Sequence, residues 1–233
     1  MVALLVVGPV LTLVTGLAPA VGASGAASPV LSGSLVTGLF AWLIAVAVST
    51  VFALVVARLT TWRLGVTCLG LCLLWSVWGT PGIDDLVRID PAASPVAPLA
   101  IDGLLLALFA CAGAFVVMCY SGQSATSDEN EPAEFKPAHF APAIAGCAIG
   151  ALLACFLIAQ DERVGQALGA AVVAGFAGGA LGRAFAPKAP AWVLLAGFPV
   201  AALAAPIIGN EQTQGALVDA VIDGSLTSLH SVL

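Results

Sequence analysis

Seven long stretches of the sequence carry almost no charged side chains, and this pattern constrains the fold more than any other feature. Each is close to the ~20 residues with which a helix crosses the hydrocarbon core of a bilayer. Only 9% of the 233 residues are charged, against roughly 25% in soluble domains, which is too few to cover a soluble surface. The stretches are 2–21, 35–57, 64–78, 96–119, 138–159, 164–185 and 190–208.

This pattern predicts an all-α, polytopic integral membrane helix bundle of seven spans over residues 1–209. The first span also resembles a secretory signal peptide, because small residues follow its apolar run. It lacks the positively charged start of such peptides, so we favour a retained helix. A cleaved signal peptide would leave six spans. The third span, of about fifteen residues, is short enough to be re-entrant.

The basic residues are divided unequally between the loops, and this predicts the orientation of the chain. With the N-terminus in the cytoplasm, most of the basic residues also face the cytoplasm, as the positive-inside rule requires. Those inside are Arg58, Arg63, Lys136, Arg183 and Lys188, and those outside are Arg88 and Arg163. We expect a protein of a bacterial inner membrane, with its C-terminus outside.

Two segments outside the spans are candidate regions for binding other membrane subunits. The acidic loop 120–137, between the fourth and fifth spans, is polar and predicted to be flexible; it could dock a basic partner. The tail, residues 210–233, is predicted to form an amphipathic helix without Lys or Arg, which favours docking on protein over binding to anionic lipid. The net charge of −6 argues against nucleic acid as a partner.

The sequence contains no recognisable catalytic or cofactor-binding motif. HExxH, CxxC and Walker-type patterns are absent, and the predicted topology puts the two histidines, His139 and His230, on opposite sides of the membrane. The six cysteines lie inside apolar runs, where free cysteine packs as a small apolar residue; a thiol or soft-metal site between helices is the alternative. We therefore predict a protein that is not an enzyme and that has no metal and no cofactor.

A few intramembrane groups are candidates for a substrate or ion pathway. Asp102 is the only carboxylate inside a predicted span, and such groups mark ion and proton pathways in membrane proteins. Gly197 and Pro199 lie in the middle of the last span, and Gly8 and Pro9 lie in the middle of the first. Proline removes a helical hydrogen bond, and transporters use such broken helices at binding sites. Simple kinks are the alternative.

The span 164–185 contains six glycines and seven alanines, although glycine disfavours a helix in water. In lipid, small residues let helix backbones approach closely. We predict an antiparallel contact between this span and 138–159, with lining of a pore or of a pocket for a cofactor or lipid as the alternative. The predicted packing residues are Gly146, Gly150, Ala154, Ala171, Gly175, Gly178, Gly179 and Gly182.

Two classes of function fit these features. The first is a small-solute or ion permease, favoured by Asp102 and by the glycine and proline positions within spans. The second is a non-catalytic subunit or scaffold of a larger membrane complex, favoured by the scarcity of intramembrane polar groups, the apolar tail and the acidic loop.

Overall fold

The computed structural model describes residues 34–77, 96–121, 139–158 and 164–212, together with the isolated positions 7 and 11. These ranges contain helices and no strand, so the predicted all-α class is confirmed for the part of the chain that is described. The helices are α1 (Leu35–Leu59), α2 (Trp62–Val77), α3 (Val96–Tyr120), α4 (Phe140–Ile158), α5 (Val164–Phe185), α6 (Ala191–Leu195) and α7 (Gly197–Gln212).

Four helical segments are long and apolar enough to cross a membrane, which is consistent with an integral membrane protein. They are Leu35–Leu59, Ala97–Tyr120, Phe140–Ile158 and Ala191–Ile208. Two of the other predicted spans coincide with shorter apolar stretches, Trp62–Leu73 and Ala170–Phe185. The first predicted span, 2–21, lies outside the described residues apart from positions 7 and 11.

Side chains are sorted by size between the inside and the outside of the bundle. The buried face of α1 is built almost entirely from small residues: Gly38, Ala41, Ala45, Ser49, Thr50, Ala53 and Ala57, with Trp42 as the one large member. Large apolar side chains of the same helix, such as Phe40 and Val51, are exposed. Water would penalise this arrangement, whereas lipid tails accept it and reward close contact between backbones.

The described residues fall into two compact units. The first contains α1, α2 and the part of α3 from Leu108 onward. A Cβ atom added to Gly65 of α2 would lie 2.5 Å from the Cβ of Ala57 and 3.0 Å from Cγ1 of Val117. Near the same end, the Nε of Arg58 donates to the Tyr120 carbonyl at 3.3 Å. Helices α1 and α3 therefore run parallel, with α2 antiparallel to both.

The second unit contains the start of α3, up to Ala107, and helices α4 to α7. Helix α5 is antiparallel to α4, because Gly146 lies against Gly182 whereas Gly150 lies against Gly178. The chain then reverses again, since Leu194 of α6 reaches Gly182 and Phe198 of α7 reaches Gly178. Within each unit, consecutive long segments alternate in direction, as successive membrane crossings do.

We expect Gly65→Ala to destabilise the first unit. The added methyl group would meet the Ala53 carbonyl oxygen at 2.8 Å in addition to Ala57, and overpacking of this kind costs about 1–3 kcal/mol. Gly70→Ala is the matched control in the same helix, since its Cβ would meet no atom within 4 Å. Thermal unfolding in detergent measures both, and equal stability of the two variants would contradict the described packing.

Candidate functional site

Three helices of the second unit meet at the side chain of Cys147 on α4, which is fully buried. Cβ atoms added to glycines on the two neighbouring segments would lie 2.6 Å (Gly197) and 3.3 Å (Gly182) from the Cys147 Cβ atom. A Cβ atom at Gly178 would lie 3.2 Å from the Cys147 sulfur. Cys147 therefore occupies a space that exists only because all three facing positions are glycines.

Helices α4 and α5 also touch each other through their backbones. A Cβ atom on Gly150 would approach the Ala177 carbonyl oxygen to 2.5 Å, and one on Gly146 would approach the Leu181 carbonyl oxygen to 2.9 Å. Backbone atoms cannot rotate away from an added Cβ atom, whereas the end of a flexible side chain can. The axes of the two helices are therefore as close as helices without intervening side chains allow.

The structure brings some of the predicted packing residues to this contact and not others. Gly146, Gly150, Gly178 and Gly182 lie in it, and Ala154 is buried in a cluster with Ala174 and Ala201. Ala171 is exposed, and Cβ atoms on Gly175 or Gly179 would meet nothing within 4 Å. The contact follows one ridge of residues spaced by four, which is Ala170, Ala174, Gly178 and Gly182.

The last apolar segment is interrupted where the sequence places Gly197 and Pro199. Helix α6 ends at Leu195 and α7 begins at Gly197. Ala196, between them, keeps an αR backbone with φ −65° and ψ −15°, and Ala191–Ile208 is one apolar helical segment. Pro199 therefore lies inside this segment, at a point where a helical hydrogen bond is lost. Pro206 is the proline inside α7, and its fully buried side chain was not among the predicted site residues.

Asp102 lies on α3, in the part of that helix that belongs to the second unit. Its side chain is only 7% exposed. The residue lies about 9 Å from the start of α3 along the helix axis at 1.5 Å per residue. A carboxylate is therefore held inside an otherwise apolar segment, which is costly in lipid unless it is used or paired.

Several predicted features fall outside the described residues. Gly8 and Pro9 of the first predicted span are among them, as are most of the acidic loop 120–137 and residues 213–233 of the tail. The predictions made for these residues stay predictions.

The cysteines and one hydroxyl complete the set of candidate groups. All six cysteines are free, and the described residues contain no group of three or more potential metal ligands. The hydroxyl is that of Thr50 in α1, which is buried without a hydrogen-bond partner. Sequence reasoning missed it, although Ser49 and Thr50 are adjacent polar residues inside the apolar run 35–57 and were the available signal.

A scan against protein-family models, a search of curated proteins and a search of solved structures found no match to this chain. The candidate function therefore rests on the buried polar groups and on the packing around them.

We expect Gly178→Ala to lower the stability of the second unit, whereas Gly179→Ala leaves it unchanged or raises it. At position 178 the new methyl group would meet the Cys147 carbonyl oxygen at 2.9 Å, with an expected loss of about 1–3 kcal/mol. At position 179 it meets nothing within 4 Å, and alanine is the better helix former. The midpoint of thermal unfolding in detergent compares these neighbours, and a reversed order would place the contact on the other face of α5.

Proposed function

We propose that this protein is a small-solute or ion permease of a membrane, with Asp102 on its pathway. The observation that carries the proposal is the burial of this carboxylate inside an apolar helix. Ionisable groups inside the membrane are rare, face the protein interior, and mark ion pathways and proton relays. Asp102 has the burial of such a group, since it is only 7% exposed.

The interruption between α6 and α7 supports the same proposal. Broken helices occur at transporter binding sites because they bring backbone groups to the middle of the membrane. Here the break falls at Ala196, within the segment Ala191–Ile208 that is long enough to span the bilayer. Gly197 seats this break against Cys147 and the Ile144 carbonyl oxygen, so its position in the second unit is fixed by packing.

The proposed topology has seven membrane crossings, beginning with the retained segment 2–21. The alternating directions of the helices in each unit support the inclusion of α2 and α5 among the crossings. Each unit also has one end that carries basic and aromatic side chains. In the first unit this end carries Arg58, Arg63 and Tyr120. In the second unit it carries Arg183, Lys188 and Trp192.

These ends favour the predicted orientation, because basic residues flank the cytoplasmic side and aromatic residues lie at the interface. We therefore place the basic ends, and the N-terminus, in the cytoplasm of a bacterial cell, and the C-terminus outside.

A non-catalytic subunit of a larger membrane complex is the second candidate, and one observation favours it. Gly175 and Gly179 form a small-xxx-small pair on α5 that contacts no described atom at the Cβ positions. Phe176 and Val172 beside them are exposed. A helix of another subunit packed on this face would use the same close approach that α4 uses on the neighbouring face.

We expect Asp102→Asn to abolish cation or proton flux through the purified protein. Asparagine keeps the size of the side chain but cannot carry a proton or a charge, so the flux should fall by about tenfold or more. The measurement uses proteoliposomes that contain a pH-sensitive dye, with an imposed membrane potential and protein-free liposomes as the baseline. Asp128→Asn, in the acidic loop of the sequence, removes one carboxylate outside the spans and serves as the matched control.

The assignment of Asp102 would be overturned if the native protein gave no more flux than protein-free liposomes. It would also be overturned if Asp102→Asn and the native protein gave equal flux. Equal losses in both variants would show an effect of net charge and not of the pathway.

If the protein is a complex subunit, extraction in mild detergent should retain a membrane partner, and Gly179→Leu should release it. The new side chain would fill the open face of α5 without entering the contact with α4, so the bundle itself should stay folded. Native mass spectrometry reads the mass of the extracted particle, and a bare chain from the native protein would contradict the subunit role.

A further inference from the structure

Thr50 differs from Ser49, Thr60 and Thr67 in the way its hydroxyl is directed. Ser49 donates to the Ala45 carbonyl at 2.7 Å, Thr60 to the Val56 carbonyl at 2.6 Å, and Thr67 to the Arg63 carbonyl at 3.0 Å. Hydroxyl groups in apolar helices commonly donate a hydrogen bond to a carbonyl of the preceding turn. The Thr50 hydroxyl makes no such bond and has no partner among the described residues.

The Thr50 hydroxyl is instead directed between helices. Its oxygen lies 2.8 Å from the position that a Cβ atom on Gly113 of α3 would occupy. Two methyl carbons of Leu69, on α2, lie 3.1 and 3.5 Å from the same position. Thr50 itself is 9% exposed, so a donor that is not satisfied by its own helix is enclosed where α1, α2 and α3 meet.

Small residues continue from this point along the first unit. Together they form a surface of methyl groups and backbone atoms, which we call the seam. Its residues are Thr50, Ala53 and Ala57 of α1, Gly65 of α2 and Gly113 of α3. Leu69 is a large side chain of α2 at this point, and side chains of this kind exchange between staggered rotamers. None of these side chains carries a charge.

We propose that the seam at Thr50 binds small uncharged molecules that carry a hydrogen-bond acceptor, of the size of urea or glycerol. A buried hydroxyl without a partner destabilises the closed packing. A guest that accepts its hydrogen bond removes that penalty, and Leu69 is the side chain it displaces. The inference rests on the proposed permease function and adds an uncharged class of solute to it.

The test compares the reactivity of cysteines placed at two neighbouring positions, Thr50→Cys and Ser49→Cys. The probe is 2-hydroxyethyl methanethiosulfonate, an uncharged polar reagent that modifies the thiolate form of cysteine. Peptide mass spectrometry separates the new sites from the native cysteines. We expect labelling at position 50 to be about tenfold faster than at position 49, because the proposed site admits the uncharged reagent at position 50 whereas the side chain at position 49 is fully buried. Equal or slower labelling at position 50 would overturn the site.

A second measurement keeps the proposal testable if a cysteine variant misfolds. Replacing an unpaired hydroxyl by a methyl group of the same shape is neutral or stabilising, so Thr50→Val should hold or raise the thermal midpoint in detergent. It should also reduce glycerol flux into proteoliposomes several-fold, whereas Ser49→Ala leaves that flux unchanged. A lower midpoint for Thr50→Val would show that the hydroxyl is bonded within the fold, and would overturn the proposal.

Labelling requires no transport, so the two proposals fail separately. Fast labelling of Thr50→Cys in a protein that conducts no solute overturns the permease function and supports the site. Slow labelling in a conducting protein overturns the site alone.

Discussion

Direct contact between helix backbones is the constraint on which the second unit depends. At Cys147 one side chain fills the space left by three glycines, and Gly146 and Gly150 place α4 against carbonyl oxygens of α5. Such contacts consist of dispersion, which falls off within a fraction of an ångström. A bundle held in this way tolerates little displacement at the contact, because each added atom meets backbone and not a side chain that can move.

The same constraint determines how polar groups can be accommodated. Once small residues face inward and large apolar residues face lipid, the interior offers few hydrogen-bonding partners other than the helix backbone. Several described hydroxyl groups therefore donate to a carbonyl of their own helix, as Ser49 does. Asp102 and Thr50 are therefore conspicuous: one brings a carboxylate into an apolar segment, and the other directs a donor into a seam. Both candidate sites are built on these two buried polar groups.

The sequence predicts the helical class and most helix ranges well, because long uncharged runs admit few alternatives in lipid. It predicts less well which face of a helix makes the contact. The glycines and alanines of α5 cover a wide arc, and the partner selects from it the ridge with Gly178 and Gly182, since only residues spaced by four match the small residues of α4. Periodicity on one helix cannot supply that choice. Likewise, Gly197 and Pro199 indicate a local interruption, but the close contact of Gly197 with Cys147 depends on a neighbouring helix and cannot be read from the segment itself.

In each unit a glycine-bearing helix, α2 or α5, runs antiparallel between two segments that are parallel to each other. Movement of such a helix is opposed by the close fit of backbones and small side chains at its glycines. The contacts around Cys147 are buried on every side and resist this motion. The seam in the first unit contains an unsatisfied hydroxyl and a flexible leucine, so opening there relieves a penalty while it breaks dispersion contacts. Within the first unit, opening should therefore begin at Thr50.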